Sequence, residues 1–127
     1  MADKETILIA DDSSSVRKFV AFALKTIGFE VVAAEDGMDA LEKMPLHDIS
    51  LVLTDLNMPN VDGIELIRTI RANDAYKNIP IVVLSSIKDE EDKKKCFDAG
   101  ANAYLIKPFN AKRLQYEISK FINVKKS

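Results

Sequence analysis

Two rhythms of apolar and polar positions alternate along this chain. Thr6–Ala10 (TILIA) is apolar almost throughout, as a strand covered on both faces should be. Ser14–Ile27 then places Val16, Phe19, Val20, Phe22, Ala23, Leu24 and Ile27 at helical spacing, with Gly28 as its stop. The same pairing recurs. Glu30–Ala34 predicts a second strand and Met38–Met44 a short helix before Pro45. Ile49–Thr54 predicts a third strand, and Ile64–Ala72 a helix introduced by Asp62 and Gly63. IPIVVLSS (79–86) is the fourth strand, followed by the helix DEEDKKKCFDAG, acidic then basic as the helix dipole favours and ended by Gly100. AYLI (103–106) and Ala111–Val124 complete a fifth strand and helix.

Five strand–helix units in succession require parallel pairing and right-handed crossovers. A chain of 127 residues is too short for an eight-stranded barrel, which leaves an open α/β sheet wound in both directions. No linker, repeat or low-complexity segment interrupts the pattern, so 1–127 is expected to be one domain with an ordered core over about 5–124. Ligands of such sheets sit outside the carboxyl ends of the strands. Composition narrows the field further. The chain is 47% hydrophobic and 30% charged with a formal charge of −2, a soluble composition with no general attraction to nucleic acid or anionic membrane. No apolar run approaches the roughly 18 residues of a membrane span, and the N-terminus lacks the basic start and apolar middle of a signal peptide. One cysteine, Cys96, forms no internal disulfide and suits a reducing cytosol, so a cytoplasmic location is expected.

At the carboxyl ends of the first and third strands stand three carboxylates: Asp11, Asp12 and Asp55. At about 5 Å and an effective dielectric near 20, each like-charged pair costs roughly 3 kcal/mol. Helix capping by Asp11, Asp12 or Ser13 and a turn at Asp55 would account for one aspartate well and for three poorly. A hard divalent cation relieves the repulsion, and all-oxygen ligands favour Mg²⁺, Mn²⁺ or Ca²⁺ over zinc. His47 lies at the opposite end of a strand and Cys96 in a helix, so neither completes a zinc site. Mg²⁺ typically takes few protein carboxylates plus phosphate oxygen, which points to phosphoryl chemistry. The fourth and fifth strands end in Ser85 and in Lys107-Pro108, a hydroxyl and an ammonium suited to anionic oxygen.

The DD after the first strand, TDLNMPNVDG around Asp55, LSS after the fourth strand and AGANAYLIKPF at the fifth stand in this order at five-strand spacing. Together they resemble the receiver domain of bacterial two-component response regulators, above all its stand-alone, CheY-like chemotaxis branch. The resemblance covers nearly the whole chain. It implies a flavodoxin-like (βα)5 three-layer sandwich with sheet order 2-1-3-4-5. It implies Asp55 as phosphoacceptor from a sensor histidine kinase. Mg²⁺ would be bound by the Asp12 and Asp55 carboxylates and the Asn57 backbone carbonyl, with Asp11 acting partly through water. Lys107 would pair with the phosphoryl group, Ser85 would hydrogen-bond to it, and Tyr104 would change rotamer on activation. Ile87 departs from the polar residue that chemotaxis members often carry, and with Asn57 it is expected to flank the attacking water.

The expected function is a phosphorylation-activated, single-domain response regulator, not an enzyme beyond its own phosphorylation and dephosphorylation. With no second domain, its output passes through the surface of Asp89–Val124. The partner there would be a flagellar motor switch, a phosphotransfer protein or the kinase itself, and the protein is expected to be monomeric. A phosphorelay intermediate or phosphate sink is the alternative within the family. A Mg²⁺-dependent phosphatase of the haloacid dehalogenase type needs an aspartate two residues beyond its first-strand nucleophile, where this chain has Ser13. A nucleotide-binding reading fails because the four glycines are isolated.

Overall fold

Continuous apolar runs can be strands only where both faces are covered, and the computed structural model, which describes residues 4–122, covers them. β1 (Thr6–Ala10), β2 (Glu30–Ala34), β3 (Ile49–Asp55), β4 (Ile81–Ser85) and β5 (Ala103–Ile106) form one parallel sheet in the order β2-β1-β3-β4-β5. Every residue of β4 is buried, as are Ile7–Ala10 of β1, whereas the edge strands β2 and β5 are mixed.

Alternate strand residues face opposite layers. Ile7, Ile9, Leu51, Leu53, Val82, Leu84 and Leu105 pack with α1 (Ser14–Lys25) and α5 (Ala111–Ser119). Leu8, Ala10, Val52, Ile81 and Val83 pack with α2 (Gly37–Lys43), α3 (Gly63–Ala72) and α4 (Glu90–Ala99). The result is the three-layer α/β sandwich of flavodoxin type. The winding direction reverses between β1 and β3, so the connections leaving their carboxyl ends diverge and open a crevice there.

The boundaries differ from the sequence reading for local reasons. α1 stops at Lys25, where the Gly28 N–H bonds to Lys25 O and the Phe29 N–H to Leu24 O, closing a Schellman turn around Gly28 at φ 100°. The expected end of α2 becomes a tighter 3-10 turn, Met44–Leu46, around Pro45. β3 runs one residue further, so Asp55 is itself a strand residue. At the end of α5 the bonds shorten to Lys120 N–H on Glu117 O, and the expected limit at Val124 lies outside the described residues. All five helices begin with a side-chain cap, from Ser13, Asp36, Asp62, Asp89 and Asn110.

Two features away from the crevice hold the α3–α4 side together. The Arg71 guanidinium donates to the carbonyls of Gly100, Lys77 and Ile79 and to Asn102 Oδ1, at 2.7–3.0 Å. Cys96 is fully buried, and burial pushes its thiol up to about 11, so it behaves as a small apolar core residue.

The loop after β3 is closed at its base by the Gly63 N–H on Leu56 O at 2.9 Å. A Cβ on Gly63 would strike the Asp55 carbonyl oxygen and approach Leu56 Cα to 2.8 Å. In an unconstrained helix start, Gly→Ala stabilises by up to about 1 kcal/mol. Here we predict the reverse, a loss of about 1–3 kcal/mol for Gly63→Ala by urea unfolding, with amide shifts at Asp55 and Leu56. A more stable Gly63→Ala would show that this backbone approach is not tight.

Candidate functional site

Strand register decides which side chains meet. Ala10 pairs with Thr54, which sets Asp11 level with Asp55 on adjacent strands. Asp55 pairs with Leu84, and Ser85 with Ile106, so Ser85 stands one residue and Lys107 two residues beyond the level of Asp55. Two residues of strand are roughly 6.6 Å, a distance the lysine side chain can span back toward the acids.

Lys107 does span it. Its Nζ lies 2.9 Å from Asp11 Oδ2 and 3.6 Å from Asp55 Oδ2. Its backbone N–H donates to Ser85 O at 2.8 Å, and the following bond to Pro108 is cis. Asp11 has no accessible surface, and each of its polar groups has a partner. The N–H donates to Ala34 O, the carbonyl accepts from Arg17, Oδ1 accepts from the Ser13 N–H, and Oδ2 accepts from Lys107.

Asp55 is 8% exposed. Its Oδ1 accepts the Leu56 N–H at 2.8 Å, and Oδ2 is the oxygen nearer Lys107. Burial pushes the Asp55 carboxyl above the usual range. Asp11 and Asp12 push the same way, while Lys107 and the Leu56 N–H oppose. Asp12 differs from both: it is exposed, and its carboxylate makes no hydrogen bond among the described residues. The cap of α1 is instead Ser13, whose Oγ accepts from the Val16 N–H. One carboxylate oxygen from each of Asp11, Asp12 and Asp55 lies within 4.8 Å of the others, a spacing that one cation can bridge. The Asn57 backbone carbonyl, at the same edge, accepts no hydrogen bond among the described residues.

The donor set therefore fits a hard divalent cation. Asp12 is uncommitted, each Asp55 oxygen has a single partner and so keeps a lone pair, and only oxygen ligands are offered. Both Asp11 oxygens are engaged, which favours contact with a cation through water.

The remaining sequence-derived residues lie beside this cluster. Ser85 is 1% exposed, and its Oγ accepts the Ile87 N–H at 3.1 Å. Tyr104 is half-buried, and its hydroxyl donates to Ile87 O at 2.7 Å, tying β5 to the loop after β4. Ile87 itself is half-buried and packs on the cluster under α3 and α4, so part of its side chain serves the core. The Asn57 side chain is exposed. Sequence reasoning missed Arg17, whose guanidinium holds the Asp11 carbonyl at 2.7 Å, because a basic residue on an amphipathic helix reads as solvated surface. It also passed over Asp36 and Asn60, which join two loops through a hydrogen bond of 2.9 Å. No described helix is long and apolar enough to cross a membrane.

Residues 7–119 match the family described as response regulator receiver domain. The chain is 36% identical to chemotaxis protein CheY-3 of Vibrio cholerae over 115 residues, covering 90% of this chain and 88% of that protein. It is 39% identical over 106 residues to a gliding motility regulatory protein of Myxococcus xanthus, spanning 84% of this chain and only 14% of that longer protein. The structure of the V. cholerae chemotaxis response regulator CheY4 superposes with a TM-score of 0.90 at 32% identity, covering 94% of this chain and all (100%) of the other. The receiver domain of a sensor histidine kinase from Pseudomonas aeruginosa, solved with a magnesium ion coordinated in its active site cleft, gives a TM-score of 0.85 at 28% identity over 94% of this chain and 98% of that one.

The electrostatics of the cluster make opposite predictions for its two central residues. The fold disfavours the ionised Asp55 carboxyl, so stability is lost as pH rises through its elevated pKa. Asp55→Asn should therefore melt about 3–5 °C higher than the parent at pH 7 without metal, if about 1 kcal/mol is released. The gain should vanish below about pH 4, where the parent carboxyl is protonated in both states. Lys107→Ala strands the buried Asp11 carboxylate and should cost about 3 kcal/mol, the low end for a broken buried pair because Lys107 retains some exposure. Thermal melts in EDTA across pH 3–8 measure both, and equal melting of all three proteins at pH 7 would contradict this account.

Proposed function

The chain belongs to the response regulator receiver family, a family of signalling proteins rather than classical enzymes, and on that premise we propose that Asp55 accepts a phosphoryl group from a phosphohistidine of a sensor kinase. The single observation that supports this most directly is the buried Asp55 carboxylate, set 3.6 Å from Lys107 and within 4.8 Å of the Asp11 and Asp12 oxygens. Asp55 Oδ2 attacks phosphorus, the P–N bond breaks, and the imidazole leaves with a proton. Lys107 draws charge from the equatorial oxygens and is held in place by Asp11. The Leu56 N–H fixes the other Asp55 oxygen and so orients the nucleophile.

In this reading Asp12, Asp55 and the Asn57 carbonyl hold Mg²⁺, with Asp11 acting through water. When bound, the metal supplies charge neutralisation for the transferring group. Magnesium in the cleft of the P. aeruginosa receiver domain supports the choice. The new phosphoryl oxygens exceed the acceptors already present and draw Lys107 and the Ser85 hydroxyl toward themselves. Ser85 then gives up the Ile87 N–H, the loop after β4 moves, and the bond from Tyr104 to Ile87 O carries the change to β5.

Output passes through α4, β5 and α5, where Lys93, Tyr104, Ile106, Pro108 and Arg113 line a groove on the outer surface. The likeness to CheY-3 and CheY4 supports chemotaxis, with a flagellar motor switch or phosphotransfer protein as target and a monomeric, cytoplasmic protein acting as one domain. A relay intermediate or phosphate sink is the second reading, supported by the likeness to a receiver attached to a kinase.

Incubation with a small phosphodonor and Mg²⁺ should place a single base-labile phosphoryl group on Asp55, read by mass spectrometry. Undiminished labelling of Asp55→Asn would sink the assignment.

A further inference from the structure

Between Leu56, which follows β3, and Asp62, which caps α3, lie the five residues 57–61, which include the proposed metal-binding carbonyl of Asn57. Among the described residues they make one hydrogen bond only, from Asn60 Nδ2 to Asp36 Oδ2 at 2.9 Å. We propose that the Asp36–Asn60 pair is a positioning latch that fixes the Asn57 carbonyl at the metal site, an inference that rests on the reading given above.

Further observations converge on it. Asn60 holds φ at 67°, a left-handed conformation that asparagine tolerates better than other non-glycine residues but that still needs support from its surroundings. The bond to Asp36 supplies that support. Asp36 is in turn immobilised as the cap of α2, with Oδ1 accepting the Asp39 N–H at 2.7 Å, so its two oxygens serve different partners. Next to it, a Cβ on Gly37 would collide with the Val61 carbonyl oxygen, so the start of α2 and the far side of the loop touch backbone to backbone. The Asp36 carboxyl is held below its usual range, first by the Asp39 N–H and then by Asn60, so it stays an ionised acceptor throughout the neutral range.

The loop is thus anchored at both ends and at one point between. Leu56 and Met58 are buried, and Gly63 closes the base, but neither restraint fixes the rotation of the peptide units at Asn57–Asn60. The latch does so from outside the site, without touching the phosphoryl group or the metal. Asp36 and Asn60 are positioning residues, separate from the carboxylates that carry the chemistry.

The two single variants are chosen to keep the backbone. Asn60→Gly retains the left-handed conformation and removes the donor. Asp36→Ser retains the cap on α2 and removes the second oxygen. Each should weaken Mg²⁺ binding about tenfold, the low end for loss of an outer-shell partner, when measured by calorimetry on the unphosphorylated protein. Amide exchange across 56–62 should rise in both. The exchanged pair, Asp36→Asn with Asn60→Asp, reverses donor and acceptor and should restore affinity to within about threefold of the parent, which a purely structural cap would not do. Singles that bind Mg²⁺ as tightly as the parent overturn the latch, as does an exchanged pair no better than the singles. A parent that binds no Mg²⁺ overturns instead the metal reading on which the latch rests.

Discussion

Lys107 and Asp11 meet at 2.9 Å over a carboxylate with no accessible surface, and the carboxyl edge of the sheet is organised around that contact. A buried carboxylate is tolerable only when its oxygens are satisfied, and Asp11 satisfies them with a helix-entry N–H and an ammonium from the far end of the sheet. The consequence is geometric. Lys107 must cross β4 and β3 to reach β1, so its ammonium passes over Asp55, which lies on the route. The proposed phosphoacceptor thus receives a cation without having to hold it, and keeps an oxygen free.

The same edge explains why the molecule tolerates an unfavourable arrangement. Asp55 is destabilised as an anion by burial and by its neighbours, yet the strands beneath it, from Leu51 to Leu53 and from Ile81 to Leu84, are inaccessible and well paired. The core supports the strain. Replacing the acids would relax it and remove the proposed metal ligands together, the usual conflict between stability and a functional site.

Much of this was legible in the residues. Apolar runs and helical spacing located all five units, and three aspartates with a serine and a lysine at strand ends marked the edge where they meet. Strand order was carried by the family resemblance, because pattern alone does not distinguish which strands are neighbours. The two-residue stagger that makes Lys107 reach backward was also hidden, since register depends on how neighbouring strands slide. The division of labour among the acids was hidden for the same reason. Nothing local distinguishes Asp11, buried and fully bonded, from Asp12, exposed and uncommitted, until α1 turns one inward. Arg17, Asp36 and Asn60 each read as ordinary surface or turn residues, because their partners lie in other loops or past the helix start.

The Arg71 fork has a mechanical meaning beyond its hydrogen bonds. By gripping Gly100 O, it fastens the C-terminal end of α4 to α3 and to the entry of β4, while the N-terminal end of α4 hangs from the loop that follows Ser85 and contains Ser86 and Ile87. A rod held at one end has only one free motion, a swing about that end. α4 has ten residues and is thus roughly 15 Å long, so a swing of about 10° displaces its free end by roughly 2.6 Å and its held end hardly at all. The fulcrum of such a swing lies at Gly100, and its throw is greatest beside the edge that carries the proposed phosphoacceptor, so a partner resting near Lys93 would feel more of it than one near Phe97.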